Sequence, residues 1–76
     1  MKNLPSLNLK QVIKALKKLG FEEVRQKGSH LVLYNQKTNK RTVVPIHAGK
    51  EIKKPLLKSI IETDAGISIE EFLKLL

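Results

Sequence analysis

The chain has 76 residues, enough for one domain over 1–76 with a thin core, since a domain of this size buries only roughly 60% of the surface its unfolded chain exposes. That leaves little room for a deep pocket, so a surface groove acting on a polymer fits better than a site enclosing a metabolite. The formal net charge is +8, from 15 Lys/Arg against seven Asp/Glu, and the lack of cysteine excludes disulfides, thiol catalysis and cysteine-based zinc sites.

Residues 1–7 read as a short lead-in, in which Pro5 disfavours helix at Leu4. Asn8 has the character of an N-cap, with Gln11 at the N3 position of a capping box. Leu9, Val12, Ile13, Leu16 and Leu19 follow at helical spacing, Lys10, Lys14, Lys17 and Lys18 fill the other face, and Gly20 supplies a stop. The spacing predicts a first helix over 9–19. A strand over Phe21–Gln26, with imperfect alternation, is broken by Lys27-Gly28. A second strand runs Ser29–Asn35, and the polar stretch Gln36–Lys40 forms a hairpin loop in which Asn39 can take positive φ. The third strand, Arg41–Ile46, is rich in β-branched residues and carries Pro45 near its end, and His47-Ala48-Gly49 is a loop. A second helix begins at Pro55, with Leu56, Leu57, Ile60 and Ile61 as its apolar stripe, and closes at Gly66. Ser68, with Glu71 three residues on, opens a short third helix in which Ile69, Phe72, Leu73 and Leu76 can pack inward.

The order is α-β-β-β-α with a short C-terminal helix. Three sequential strands joined by tight turns make an antiparallel sheet with the helices on one face, an α+β fold. Leu31 and Leu33 are the better core pair of the second strand, which leaves His30, Val32 and Tyr34 facing away from the helices. Matching Val44 and Ile46 to the core places Arg41, Val43 and His47 on that same open face. A register slip of one residue would reverse this arrangement.

Charge is unevenly spread. Residues 1–61 hold fourteen Lys/Arg against three Glu, a net +11, whereas residues 62–76 hold Lys74 against Glu62, Asp64, Glu70 and Glu71, a net −3. A basic body points to a phosphate-bearing polymer or an acidic protein, although excess lysine also serves solubility. No apolar run follows the N-terminal lysine, so no signal peptide is expected, and no segment approaches the ~20 apolar residues that span a bilayer. Together with the absence of cysteine, this reads as a soluble, cytoplasmic protein.

Candidate chemistry centres on Gly28-Ser29-His30, where the basic run Arg25-Gln26-Lys27 passes into a strand. Histidine is the side chain best suited to move protons near neutral pH. RNA supplies its own nucleophile, the ribose 2′-OH, and an imidazole that removes this proton lets the oxygen attack the adjacent phosphorus without a metal ion. Nearby cations would stabilise the phosphorane oxygens. The plain alternative is a histidine that caps a turn. Gly28 permits positive φ or a close approach, and Ser29 can orient a phosphate or a backbone group. His47 suits a second proton-transfer role, or a structural or phosphate-binding one. Gly49-Lys50 precedes a helix start and offers an anion site, though it is not a Walker A loop. His30 and His47 have no carboxylate at ligand-like spacing, so no metal and no cofactor is expected. Tyr34 alone is available for stacking, which argues against a multi-aromatic RNA platform.

From Asn8 to Leu76 the chain resembles the HicA-type mRNA interferase toxins of toxin–antitoxin systems. The elements that carry the resemblance are Val12-Ile13-Lys14-Ala15-Leu16 leading to Leu19-Gly20-Phe21, then Gln26-Lys27-Gly28-Ser29-His30 and Val43-Val44-Pro45-Ile46-His47. Gly49-Lys50-Glu51-Ile52, Ala65-Gly66-Ile67-Ser68 and Glu70-Glu71-Phe72-Leu73 complete the set. The resemblance implies a double-stranded-RNA-binding-domain-like fold, in agreement with the order above. It also implies a metal-independent endoribonuclease that cleaves mRNA, with His30 as the catalytic residue and a HicB-type antitoxin that blocks the site. On this reading Gly28 and Ser29 shape the approach, and Lys27, Arg41 and Lys50 contact phosphate. Water or His47 takes the second proton-transfer role. Two rivals stand beside it. One is a non-catalytic RNA-binding module of the same fold. The other is a protein-binding role for an apolar patch of Val32, Tyr34 and Val43.

Overall fold

The computed structural model describes residues 5–46 and 51–76. In chain order the elements are β1 (Leu7–Asn8), α1 (Leu9–Leu19), β2 (Phe21–Lys27), β3 (His30–Asn35), β4 (Lys40–Pro45), β5 (Glu51–Ile52), α2 (Lys54–Lys58), a π-helical segment over Ser59–Asp64, and α3 (Ile69–Leu73). The expected loop at His47-Ala48-Gly49, His47 itself and Lys50 lie outside the described residues.

The first helix forms as the sequence predicts. The Gln11 amide donates to Asn8 Oδ1 at 2.9 Å and the Asn8 amide donates to Gln11 Oε1 at 3.0 Å, closing the capping box. Val12, Ala15 and Leu16 face inward and are fully buried. Gly20 ends the helix at φ 110°, a conformation that favours glycine. Asn35, 2% exposed, completes this end: its Nδ2 donates to the Leu19 carbonyl at 3.1 Å, while its Oδ1 accepts from the Lys37 amide at 2.9 Å. One side chain thus satisfies a helix-end carbonyl and opens the β3–β4 turn.

The main sheet is antiparallel with order β2-β3-β4. Leu31, Leu33, Thr42 and Val44 lie on its covered face, and their pairing (Leu31 opposite Val44, Leu33 opposite Thr42) fixes the register that the hydrophobic pattern predicts. Onto this face pack Val12, Ala15 and Leu16 of α1, Leu57 of α2, Ile60 and Ile61 of the π segment, and Phe72 of α3, which with Phe21 make one core cluster. This is the double-stranded-RNA-binding-domain-like arrangement, helices on one face and the other face open.

Three differences from the sequence reading have local causes. The lead-in is not all irregular, because Leu7 and Asn8 pair with Ile52 and Glu51 as a second, two-stranded sheet. Leu7 and Ile52 are both buried, so apolar contact rather than strand length holds this ribbon. The second helix starts one residue early, at Lys54, and changes pitch after Lys58; the Ala65 amide reaches the Ile60 carbonyl five residues back, at 2.8 Å. That wide turn carries Asp64 to Thr42, whose hydroxyl donates to Asp64 Oδ2 at 2.8 Å and so finds its partner inside the core. Finally, β2 extends to Lys27 and β3 starts at His30, so the break falls at Gly28-Ser29 rather than at Lys27-Gly28.

Candidate functional site

The open face of the sheet is built in three rows. Lys27, His30 and Pro45 lie side by side at one end, then Arg25, Val32 and Val43, then Glu22, Tyr34 and Arg41. Each row is two residues further along β3, so the first and last rows are roughly 13 Å apart at ~3.3 Å per residue.

The Gly28-Ser29 turn sets the first row. Gly28 has φ +59°, and no other residue has positive φ in this turn, the pattern of a two-residue hairpin with glycine at its first central position. A Cβ on Gly28 would meet nothing within 4 Å, so the backbone conformation, not space, requires glycine here. Across the turn Lys27 pairs with His30. His30 is therefore the first residue of the central strand, exposed, with a cation on one flank and Pro45 on the other. The Ser29 carbonyl accepts from the Ile46 amide at 2.6 Å, which ties the turn to the end of β4.

A β-bulge puts Lys27 on this face. Phe21 belongs to the core, and strict alternation from it would send Glu23, Arg25 and Lys27 to the helix side. The pairing slips between Glu23 and Arg25, with Val24 left over, and the phase reverses. Arg25 and Lys27 consequently join His30, while Glu23 stays on the helix side and pairs with Lys17 of α1 at 2.7 Å. Sequence reasoning missed Arg25 as a site residue. Its signal was the broken alternation through Glu22-Glu23-Val24, which marks a bulge but does not say where the phase changes.

Of the residues singled out from the sequence, the fold brings Lys27 and His30 together beside Gly28 and Ser29. Arg41 shares the face but stands in the far row, opposite Tyr34, so it and His30 address different parts of an extended ligand. Cations of β2 concentrate near His30, whereas Glu22 stands at the β2 end of the far row. Among the described residues no three His, Cys, Asp or Glu side chains gather as a metal ion would require. Among the same residues no helix is long and apolar enough to cross a membrane. Chemically, the near corner offers an exposed imidazole beside a cation, the pair of groups that proton transfer next to an anion requires.

A family model described as the HicA toxin of bacterial toxin–antitoxin systems matches residues 9–67, from the first residue of α1 to just past Gly66. The matched span includes Gly28, Ser29 and His30 and all three strands of the main sheet. No curated protein matches the chain.

Proposed function

Because the chain belongs to the HicA toxin family of toxin–antitoxin systems, we propose that it is an endoribonuclease, one domain over residues 1–76, that cuts mRNA in the cytoplasm without a metal ion or cofactor. The observation that carries this reading is the exposed His30, beside Lys27 on the uncovered sheet face. His30 takes the proton of a ribose 2′-OH. The freed oxygen attacks the adjacent phosphorus, the bond from phosphorus to the 5′ oxygen breaks, and the products are a 2′,3′-cyclic phosphate and a 5′-hydroxyl. A general base of this kind contributes ~10²–10⁴-fold. Lys27, aided by Arg25, holds the phosphate and stabilises charge on its oxygens. One imidazole cannot also protonate the departing oxygen in the same step, so water or His47 does so. Gly28 and Ser29 keep the turn low, so that the backbone of the substrate can approach. Arg41 and Lys50 hold more distant phosphates.

The antitoxin, of HicB type, covers this same face. The Val32–Val43 pair in the middle row, with Val43 38% exposed, supplies the apolar contact a protein partner needs between the two charged rows.

The test is cleavage of a long single-stranded RNA in EDTA by the wild type and by His30→Ala. Cutting by the wild type alone, leaving cyclic or 3′-phosphate ends, supports the mechanism. Equal cutting by both proteins refutes a role for His30, and tight RNA binding without cutting by either would make the protein a non-catalytic RNA-binding module.

A further inference from the structure

The chain has only three aromatic residues of the Phe, Tyr and Trp type: two phenylalanines and one tyrosine. Phe21 and Phe72 are locked in the core at 2% and 0% exposure. Tyr34 stands apart from them, half-buried on the open face and on the same strand as His30, in the far row. Its hydroxyl donates to Asn39 Oδ1 at 2.8 Å, and Asn39 is held in the hairpin at φ 57°. The ring is thus fixed at its far end before any ligand arrives, which lowers the entropic cost of binding.

The charges around this ring are asymmetric. Arg41 lies opposite it on β4 and Glu22 opposite it on β2. In the other two rows the cations, Lys27 and Arg25, are on the β2 side. A polyanion laid on the face is held at the β2 side near His30 and repelled from that side at Tyr34, where the cation is on β4. The favourable track therefore crosses β3 on a diagonal, and Tyr34 lies under it.

Resting on the ribonuclease reading above, we propose that Tyr34 and Arg41 form a base-stacking subsite that sets the register of single-stranded RNA relative to His30. A base stacks on the Tyr34 ring and its phosphate meets Arg41. The scissile bond then lies a few nucleotides away, at the His30 end, because the two rows are roughly 13 Å apart. A single platform of this kind selects where the strand is cut without reading a long sequence, since every base has a π-face and only stacking strength distinguishes them.

The experiment uses the full chain carrying His30→Ala and a single-stranded RNA decamer, followed by NMR. With one tyrosine in the chain, its ring protons are assigned without ambiguity. The expected result is an upfield shift of the Tyr34 ring protons on RNA addition, affinity about five- to tenfold lower when Tyr34→Ala is added, and a distinctly smaller loss with Tyr34→Phe. Tyr34→Phe keeps the ring and loses the bond to Asn39, so it separates stacking from anchoring of the hairpin. Tyr34→Leu, which keeps apolar cover without a π-face, should behave as Tyr34→Ala; this guards against loss of fold at the alanine variant. In the otherwise wild-type enzyme Tyr34→Leu should redistribute the cut sites along a long RNA. RNA binding with no ring-proton shift and no affinity loss in Tyr34→Leu overturns the subsite and leaves the ribonuclease reading intact. Absence of RNA binding and of cleavage overturns both. Ring shifts only with a protein partner would reassign Tyr34 to the antitoxin interface and overturn the subsite.

Discussion

The Ile46 amide donates to the Ser29 carbonyl at 2.6 Å, joining the turn before His30 to the residue that follows β4. This bond and the Lys27–His30 pairing hold His30 from both neighbouring strands, so the position of the imidazole depends on the Gly28 conformation between them. Gly28→Ala places a Cβ in open space but forces an L-residue to φ +59°. The expected cost is about 1–3 kcal/mol of stability, as for an L-residue held in a conformation that glycine alone adopts readily. Urea unfolding of the variant against the wild type checks it.

Thr42→Val should be one of the more costly single-site changes in the sheet. It keeps the shape of the side chain but removes the donor to Asp64, leaving a half-buried carboxylate short of a partner. The expected destabilisation is about 1–3 kcal/mol, and Thr42→Ser should recover much of it by keeping the hydroxyl. A lower urea midpoint with an unchanged slope would be the signature.

Asn35→Asp tests the end of α1. The aspartate cannot donate to the Leu19 carbonyl and brings negative charge to the negative pole of the helix. Its stability should fall at least as far as that of Asn35→Ala, about 1–3 kcal/mol below the wild type. A variant as stable as the native protein would show that the Leu19 carbonyl finds another donor.

Arg25→Ala and Lys27→Ala should each weaken RNA binding and reduce the slope of log K against log salt by about 0.7, the value for one phosphate contact on a single strand. Lys14→Ala makes the same change in net charge on the outer side of α1, behind the sheet, and should leave cleavage unaltered. Titrations at several salt concentrations separate these cases. Equal slopes for Arg25→Ala and the wild type would remove Arg25 from the site.

Much of this fold is written locally. The capping box of Asn8 and Gln11, the stop at Gly20 and the Ser68 cap of α3 are short-range bonds between residues a few positions apart, and the sequence announces them. The alternation Leu31, Leu33 and Val44 likewise told which face of the sheet is covered, and His30 is on the other. What could not be read depends on distant partners. The double use of Asn35 requires α1 to end beside β3, and the burial of Thr42 requires Asp64 to arrive from a helix of altered pitch. Arg25 was missed because a bulge changes phase at one residue, and composition does not mark which.

The ribbon between Leu7–Asn8 and Glu51–Ile52 joins positions 43 and 45 apart in the chain through two residues on each side. Its closure entropy is high for so few contacts, so it should form late in folding and open early, ahead of the main sheet. It works as a latch: α1 starts directly after one of its strands and α2 one residue after the other, so whatever pulls Leu7 out loosens the anchorage of both helices at once. Trimming the chain through Leu7 would accordingly raise amide exchange around Lys54, far away in sequence, before it disturbed the strand that carries His30.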